Sequence, residues 1–312
     1  MSYAAAVTLN TPRTMGGESH AAPTAPVAAN APEIEDVEAK ESAARAEAYA
    51  AAEARRQRVR AGLLAVLPPL IGIVLFIGLW AIISKTSPQL PSPAKTYASA
   101  LEVFGNPFYR KGPNDQGIGW NILMSLQRVG IGFGLAALVG IPLGFILGRF
   151  KFANSMASPI ISLLRPVSPL AWLPIGLMVF KAANPAAIWV IFISSIWPMI
   201  INTAVGVQRV PQDYLNVARV LNLSEWKVVT KILFPAVLPY MLTGVRLALG
   251  VAWLVIVAAE MLTGGVGIGF WVWDEWNNLN VEHIIIAIFV VGVVGLLLEQ
   301  FLLLLARRFN YA

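Results

Sequence analysis

The chain has no cysteine and only two histidines in 312 residues. The first absence excludes disulfides and thiolate metal sites. With no HExxH pattern around His20 or His283, a metal hydrolase would have almost no ligands to work with. Charge is scarce too, at 13% of residues. No GxxxxGK[ST] pattern occurs, so the chain has no P-loop with which to bind ATP. Paired carboxylates, a Ser/His arrangement or a ligand cluster at one depth are also missing, which disfavours an intramembrane enzyme. The segment before residue 60 lacks the apolar core of a cleavable signal peptide.

What is abundant is apolar surface. Hydrophobic residues make up 57% of the chain and the mean hydropathy is +0.67. They gather in runs of about 20 residues, the length a helix needs to cross hydrocarbon. The expected fold class is all-α, a polytopic membrane protein with six transmembrane helices at residues 62–84, 119–148, 155–180, 185–207, 228–262 and 283–306. The second and fifth are long enough to tilt or to project beyond the bilayer. A net charge of +6 would suggest nucleic acid in a soluble protein, but here the bases sit at the ends of apolar runs. With the N-terminus cytoplasmic, the bases at 55–60, Arg149 with Lys151, Arg209 with Arg219 and Lys227, and Arg307 with Arg308 share that side. Lys85, Lys95, Arg110, Lys111 and Lys181 then lie opposite, and the C-terminus is cytoplasmic as well.

Residues 1–60 form a cytoplasmic tail, unstructured to about residue 32 by composition and helical from about 33. The order of acids early (Glu33, Glu35, Asp36, Glu38) and bases late suits a helix dipole. Such a helix either docks a partner or is simply solvated. On the outer side, Ser92 or Pro93 is expected to start a short helix with Tyr97, Leu101 and Phe104 on one face. Further on, "TGGVGIGF" reads as a turn, and Trp271, Trp273 and Trp276 as interfacial anchors.

The polar loop 209–231 interrupts the apolar pattern. Pro211 suits a first helical turn, and Tyr214, Val217, Ala218 and Leu221 recur at three- and four-residue steps. Asn222 suits a left-handed helix end, and Ser224 is placed to cap a second helix that continues as the fifth span. Within the spans, the ionisable residues are Arg128, Arg165, Arg246, Glu260 and Glu299. Three arginines against two acids favour an anion, since a planar guanidinium matches a planar oxyanion. Each arginine also has a plainer reading: an ion pair with Glu260 or Glu299, a cap on carbonyls, or snorkelling. Arg165 stands out because Pro166, Pro169 and Pro174 follow it and deprive carbonyls of helical partners. Such backbone is tolerated in a membrane where it is packed in protein or lines a wet cavity, so 165–174 is expected to line a route, with a packing kink as the alternative. Gly130, Gly132, Gly134, Gly140 and Gly144, with Gly244 and Gly250, are expected at close helix contacts.

Asn216, Val217, Ala218, Asn222, Ile232 and Pro235 are spaced like the EAA loop of ATP-binding-cassette (ABC) importer permeases. Asn216 replaces its Glu, Val217 its first Ala, Asn222 its Gly and Phe234 its Leu, so the spacing survives and the acid does not. The stretches "SLQRVGIGFGLAALVGIPLGFILGR", "LRPVSPLAWLPIGLMVF" and "GVRLALGVAWLVIVAAEML" resemble the nitrate, sulfonate, taurine and bicarbonate importer permeases, and among them the cyanobacterial-type nitrate permeases. The resemblance implies a type I importer fold over residues 61–312, with 209–231 as the loop that couples to the ATPase. It implies no cofactor in this chain, ATP and Mg being bound by two cytoplasmic ATPase subunits. The other implied partners are a second copy of the permease, an extracytoplasmic substrate-binding protein and membrane lipid, with no nucleic acid. Nitrate, with nitrite, is the expected cargo; sulfonate, taurine or bicarbonate is the alternative. An ion-coupled secondary carrier is a further alternative, which would usually place more acids or histidines along the spans.

Overall fold

A computed structural model describes residues 31–309. Of the stretch expected to be unstructured, residues 1–30 lie outside the described residues, and 31 and 32 are already helical. The chain divides after Val74 into two compact units. In the first, the described residues form a single element, the N-terminal part of helix α1 (Ala31–Thr86).

The second unit begins within the last turns of α1 and continues through α2 (Pro93–Gly105), α3 (Ile118–Arg149), α4 (Lys151–Leu164), α5 (Leu173–Phe180) and α6 (Ala183–Gln208). It ends with α7 (Gln212–Val220), α8 (Glu225–Val228), α9 (Phe234–Thr263), α10 (Ile268–Asn277) and α11 (Val281–Phe309). Among the described residues, five helices are long and apolar enough to cross a membrane, and a sixth crossing requires α4 and α5 to count as one. The expected third span, 155–180, is therefore not a straight helix. Its two halves meet at 97° around Arg165–Ser168, where Pro166 cannot donate to the ladder and Pro169 opens a 3₁₀ turn, Pro169–Trp172.

Helices α3, α6 and α9 form the centre. Gly132, Ala136, Gly140, Gly144 and Gly148 recur every four residues along α3, and Ile191, Ser195, Met199, Thr203 and Val207 do so along α6. A Cβ added at Gly144 would come 2.5 Å from Thr203 Cβ, and one at Gly132 2.7 Å from Ile191 Cβ. Ridges at four-residue spacing interlock here, and small residues let the backbones close in. Gly244 packs likewise against Asn202 and Pro198. Gly130, Gly134 and Gly250, expected at such contacts, have nothing within 4 Å of a would-be Cβ. They lie off the ridge, whereas Gly148, not singled out from sequence, lies on it.

At one end of the bundle, α2 starts with Ser92, whose hydroxyl accepts the Lys95 N–H. Its Tyr97, Leu101 and Phe104 are exposed. Helix α10 corrects one expectation. Trp271 is buried and stacks on His283 with ring centroids 5.7 Å apart, while Trp273 and Trp276 remain exposed. Only the latter pair is free to act as interfacial anchors.

Gly144→Ala is expected to destabilise the bundle by about 1–3 kcal/mol through overpacking, whereas Gly134→Ala should be neutral or mildly stabilising by helix propensity. Thermal unfolding of the two variants in detergent distinguishes them; equal midpoints would contradict the ridge.

Candidate functional site

The span charges sort themselves into two pairs and a remainder. Arg128 on α3 places Nη1 2.5 Å from Glu260 Oε1 on α9, and its Nε donates to Asn184 Oδ1 at 2.6 Å. Both are sealed from solvent, Arg128 at 7% and Glu260 at 0% exposure. Ser125 Oγ lies 2.8 and 2.9 Å from the two Glu260 oxygens. The turn before α10 wraps this carboxylate. Gly267 N–H donates to Asn121 Oδ1, Ile268 N–H to Ser125 Oγ and Gly269 N–H to Glu260 Oε2, all at 2.9–3.0 Å. The orphan donors of a helix start are thus met by side chains of α3 and α9, and the carboxylate faces the positive end of α10.

This packing is what the glycines serve. A Cβ at Gly267 would overlap the Glu260 carboxylate, and one at Gly269 the Val257 carbonyl. Gly264 and Gly265 turn the chain there with φ of 76° and 87°. Asn121, Ser125 and Asn184 were not picked out from the sequence. Their signal was weak, being isolated polar residues near the starts of two apolar helices, two on α3 and one on α6.

The second pair, Arg246 on α9 with Glu299 on α11, is half-exposed along an open groove of about 920 Å³ that Gly250, Trp253 and Gly295 also line. Among the described residues this leaves Arg165 as the span arginine with no acid partner. Arg165 is exposed at the break after α4, where it lines a cleft of about 260 Å³ with Pro169, Ser194, Trp197, Asn202 and Leu247. Pro166 lies in the break itself. The structure thus brings Arg128 and Glu260 together, and neither lines the cleft of Arg165 and Pro169.

The polar loop is ordered. Pro211 is the N-cap residue of α7 rather than part of its first turn. Leu215 and Ala218 are buried against Val207, Val228, Leu233 and Val237, which fixes α7 to α6 and α9. Of the expected apolar series, only Ala218 faces inward; Tyr214, Val217 and Leu221 are exposed at 55%, 56% and 63%. Asn216 is exposed as well. Asn222 has φ 48°, and the bonds Leu223 N–H to Ala218 O and Asn222 N–H to Arg219 O, each 3.0 Å, close a Schellman end. Ser224 occupies the N-cap position of α8 without a side-chain capping bond. From Glu225 the chain continues helically to Thr263. A π turn, Val229–Leu233, lies just before Pro235, whose missing N–H and ring displace the ladder. Arg149 at the end of α3 grips Glu225 through Nη2 at 2.8 Å and Nε at 3.2 Å.

Residues 140–311 match the family model described as "Binding-protein-dependent transport system inner membrane component". The chain belongs to this family of ABC-importer permeases. The permease is accordingly a multi-pass inner-membrane subunit and not itself a catalyst. It is 49% identical over 238 residues to the nitrate import permease protein NrtB of Synechocystis sp., covering 76% of this chain and 86% of that one. To the bicarbonate transport system permease protein CmpB of Synechococcus elongatus it is 45% identical over 246 residues, covering 78% and 88%. A solved structure of the methionine ABC transporter MetNI, inward facing, aligns with a TM-score of 0.55 and 14% identity over 61% of this chain and 94% of that one, a likeness of fold.

Removing one member of the sealed pair strands the other charge. Arg128→Met is expected to cost the permease about 3–5 kcal/mol, and Glu260→Gln added to it should recover part of that. Thermal unfolding of the three variants in detergent checks this, and a double variant no better than Arg128→Met would refute the pairing as the cause.

Proposed function

We propose that this permease is the membrane subunit of an ATP-driven nitrate importer, with nitrite as a near-isosteric companion. The anion class rests on the nitrate and bicarbonate permeases it resembles. The observation that carries the pathway is Arg165: two span arginines are paired with the two span acids, and the third is exposed at a break facing α6 and α9. A guanidinium there offers forked donors to a planar oxyanion. Arg246 and the Pro166–Pro169 backbone belong to the same proposed route, whereas Arg128 and Glu260 hold its walls. Bicarbonate is the second reading, because the bicarbonate permeases align over the same length at an identity only slightly lower.

Energy enters from outside the chain. In this reading α7 is the coupling helix, its exposed Tyr214, Val217 and Leu221 meeting a cytoplasmic ATPase, one for each of two permease copies. A substrate-binding protein delivers the anion on the opposite face. Basic residues at the α7 end support a cytoplasmic location for it, for residues 1–60 and for both termini. Leu215 and Ala218 anchor α7, and the helix rising from Glu225 is continuous with α9, so a push on α7 tilts a wall of the Arg165 cleft. The glycine-like geometry at Asn222 supports the reading of 209–231 as an EAA-type loop, while at position 216 an amide replaces the acid.

Reconstitution with ATPase subunits and binding protein is expected to give ATP-dependent uptake of labelled nitrate; uptake of bicarbonate or sulfonate without nitrate would overturn the cargo. Arg165→Ala should lower uptake at least about tenfold, the loss expected for a charged hydrogen bond, and full-rate transport would remove Arg165 from the pathway. Leu221→Arg, on an exposed side chain, should abolish ATP-driven uptake while leaving membrane insertion intact. Normal uptake in that variant would mean α7 is not the coupling helix.

A further inference from the structure

A cleft of about 800 Å³ opens between the α3–α4 turn and α7, where α3 and α6 end. Its rim carries Arg149, Lys151 and Arg219, with the amides of Asn154, Gln208 and Gln212 between them. Arg149 is already held by Glu225, whereas Lys151 and Arg219 have no acid partner among the described residues. Leu147, Val207, Leu215 and Leu233 back the cleft, but they are buried in the packing of the helices and leave little apolar surface in it. The site therefore offers two uncompensated cations and neutral donors together where α3 and α6 end. Basic pockets between spans on the cytoplasmic side suit anionic lipid headgroups.

The placement on α7 separates this site from the proposed docking surface. At about 100° per residue, Gln212, Leu215 and Arg219 share one face, and Tyr214, Val217 and Leu221 lie on the opposite one. We propose that the cleft behind α7 binds the phosphate headgroup of an anionic glycerophospholipid from the adjoining leaflet, bridging Lys151 on α4 to Arg219 on α7. The lipid then braces the helix that receives the ATPase, without competing for its exposed face. This rests on the reading of α7 as the cytoplasmic coupling helix, but the lipid site is measurable without the ATPase.

Native mass spectrometry of the full-length permease alone tests it, with phosphatidylglycerol or phosphatidylcholine in mixed micelles and a third arm of inorganic phosphate. Phosphatidylglycerol is expected to stay bound where phosphatidylcholine does not. Lys151→Gln with Arg219→Gln should weaken it about thirtyfold, taking each cation as worth about fivefold, and Lys151→Arg with Arg219→Lys should restore it. Should the double Gln variant not fold, Lys151→Gln alone is expected to lose about fivefold. Equal retention of the two lipids, or no loss in the Gln variants, overturns the proposal. Displacement by inorganic phosphate with no retention of phosphatidylglycerol assigns the cleft to a soluble anion and overturns the lipid source. If Leu221→Arg still couples while phosphatidylglycerol binding persists, the docking reading fails and the lipid site stands.

Discussion

Glu260 is the constraint around which one end of the bundle is arranged. A carboxylate with no solvent exposure, set among apolar helices, is tolerated only if its charge and lone pairs are all answered by protein. Arg128 supplies the charge, Ser125 a hydroxyl and Gly269 a backbone N–H, so α3, α9 and α10 must meet at one point. The same requirement dictates the glycines at 267 and 269, since side chains there would occupy the space of the carboxylate and of the Val257 carbonyl. An ion pair that looks from the sequence like two separate charges thus joins three helices.

The interior contacts that run from this fastening to the other end are of a different kind. Beyond the Arg128–Asn184 bond, α3 and α6 meet through interlocked four-residue ridges whose stability depends on close approach. These ridges give the centre a rigid frame. Against it, the segment from α7 through the π turn into α9 is a single mechanical piece, anchored by Leu215 and Ala218 and tied to α3 by Arg149 and Glu225. That exposed ion pair contributes little stability by itself. Its value is positional, holding the start of the long helix beside the end of α3. In the proposed mechanism this piece carries work from the ATPase to the Arg165 cleft, and the proposed lipid would fill the space behind it.

Much of the architecture was legible in one dimension. The spans at 119–148, 185–207, 228–262 and 283–306 coincide closely with helices, because a run of apolar residues has one low-energy conformation in hydrocarbon. Ser92 and Asn222 were readable because capping and left-handed ends are local chemistry. The direction in which α7 turns its faces was not. Tyr214, Val217 and Leu221 form a periodic series as regular as a buried one, and only the positions of α6 and α9 decide that Leu215 and Ala218 go inward. Trp271 departed from expectation for the same reason, since a tryptophan suits a membrane interface and a pocket beside His283 equally well.

By itself, the sequence determined that the chain crosses a membrane, contains no P-loop motif and carries a polar segment amid its spans, because composition, motif and periodicity are local properties. The tertiary structure alone decided the fate of the charges. Arg128 and Arg165 are the same residue type in similar apolar surroundings, yet one is sealed against Glu260 and the other is left facing a cleft. Pairing depends on distances between helices separated by more than a hundred residues, and no local pattern encodes those distances.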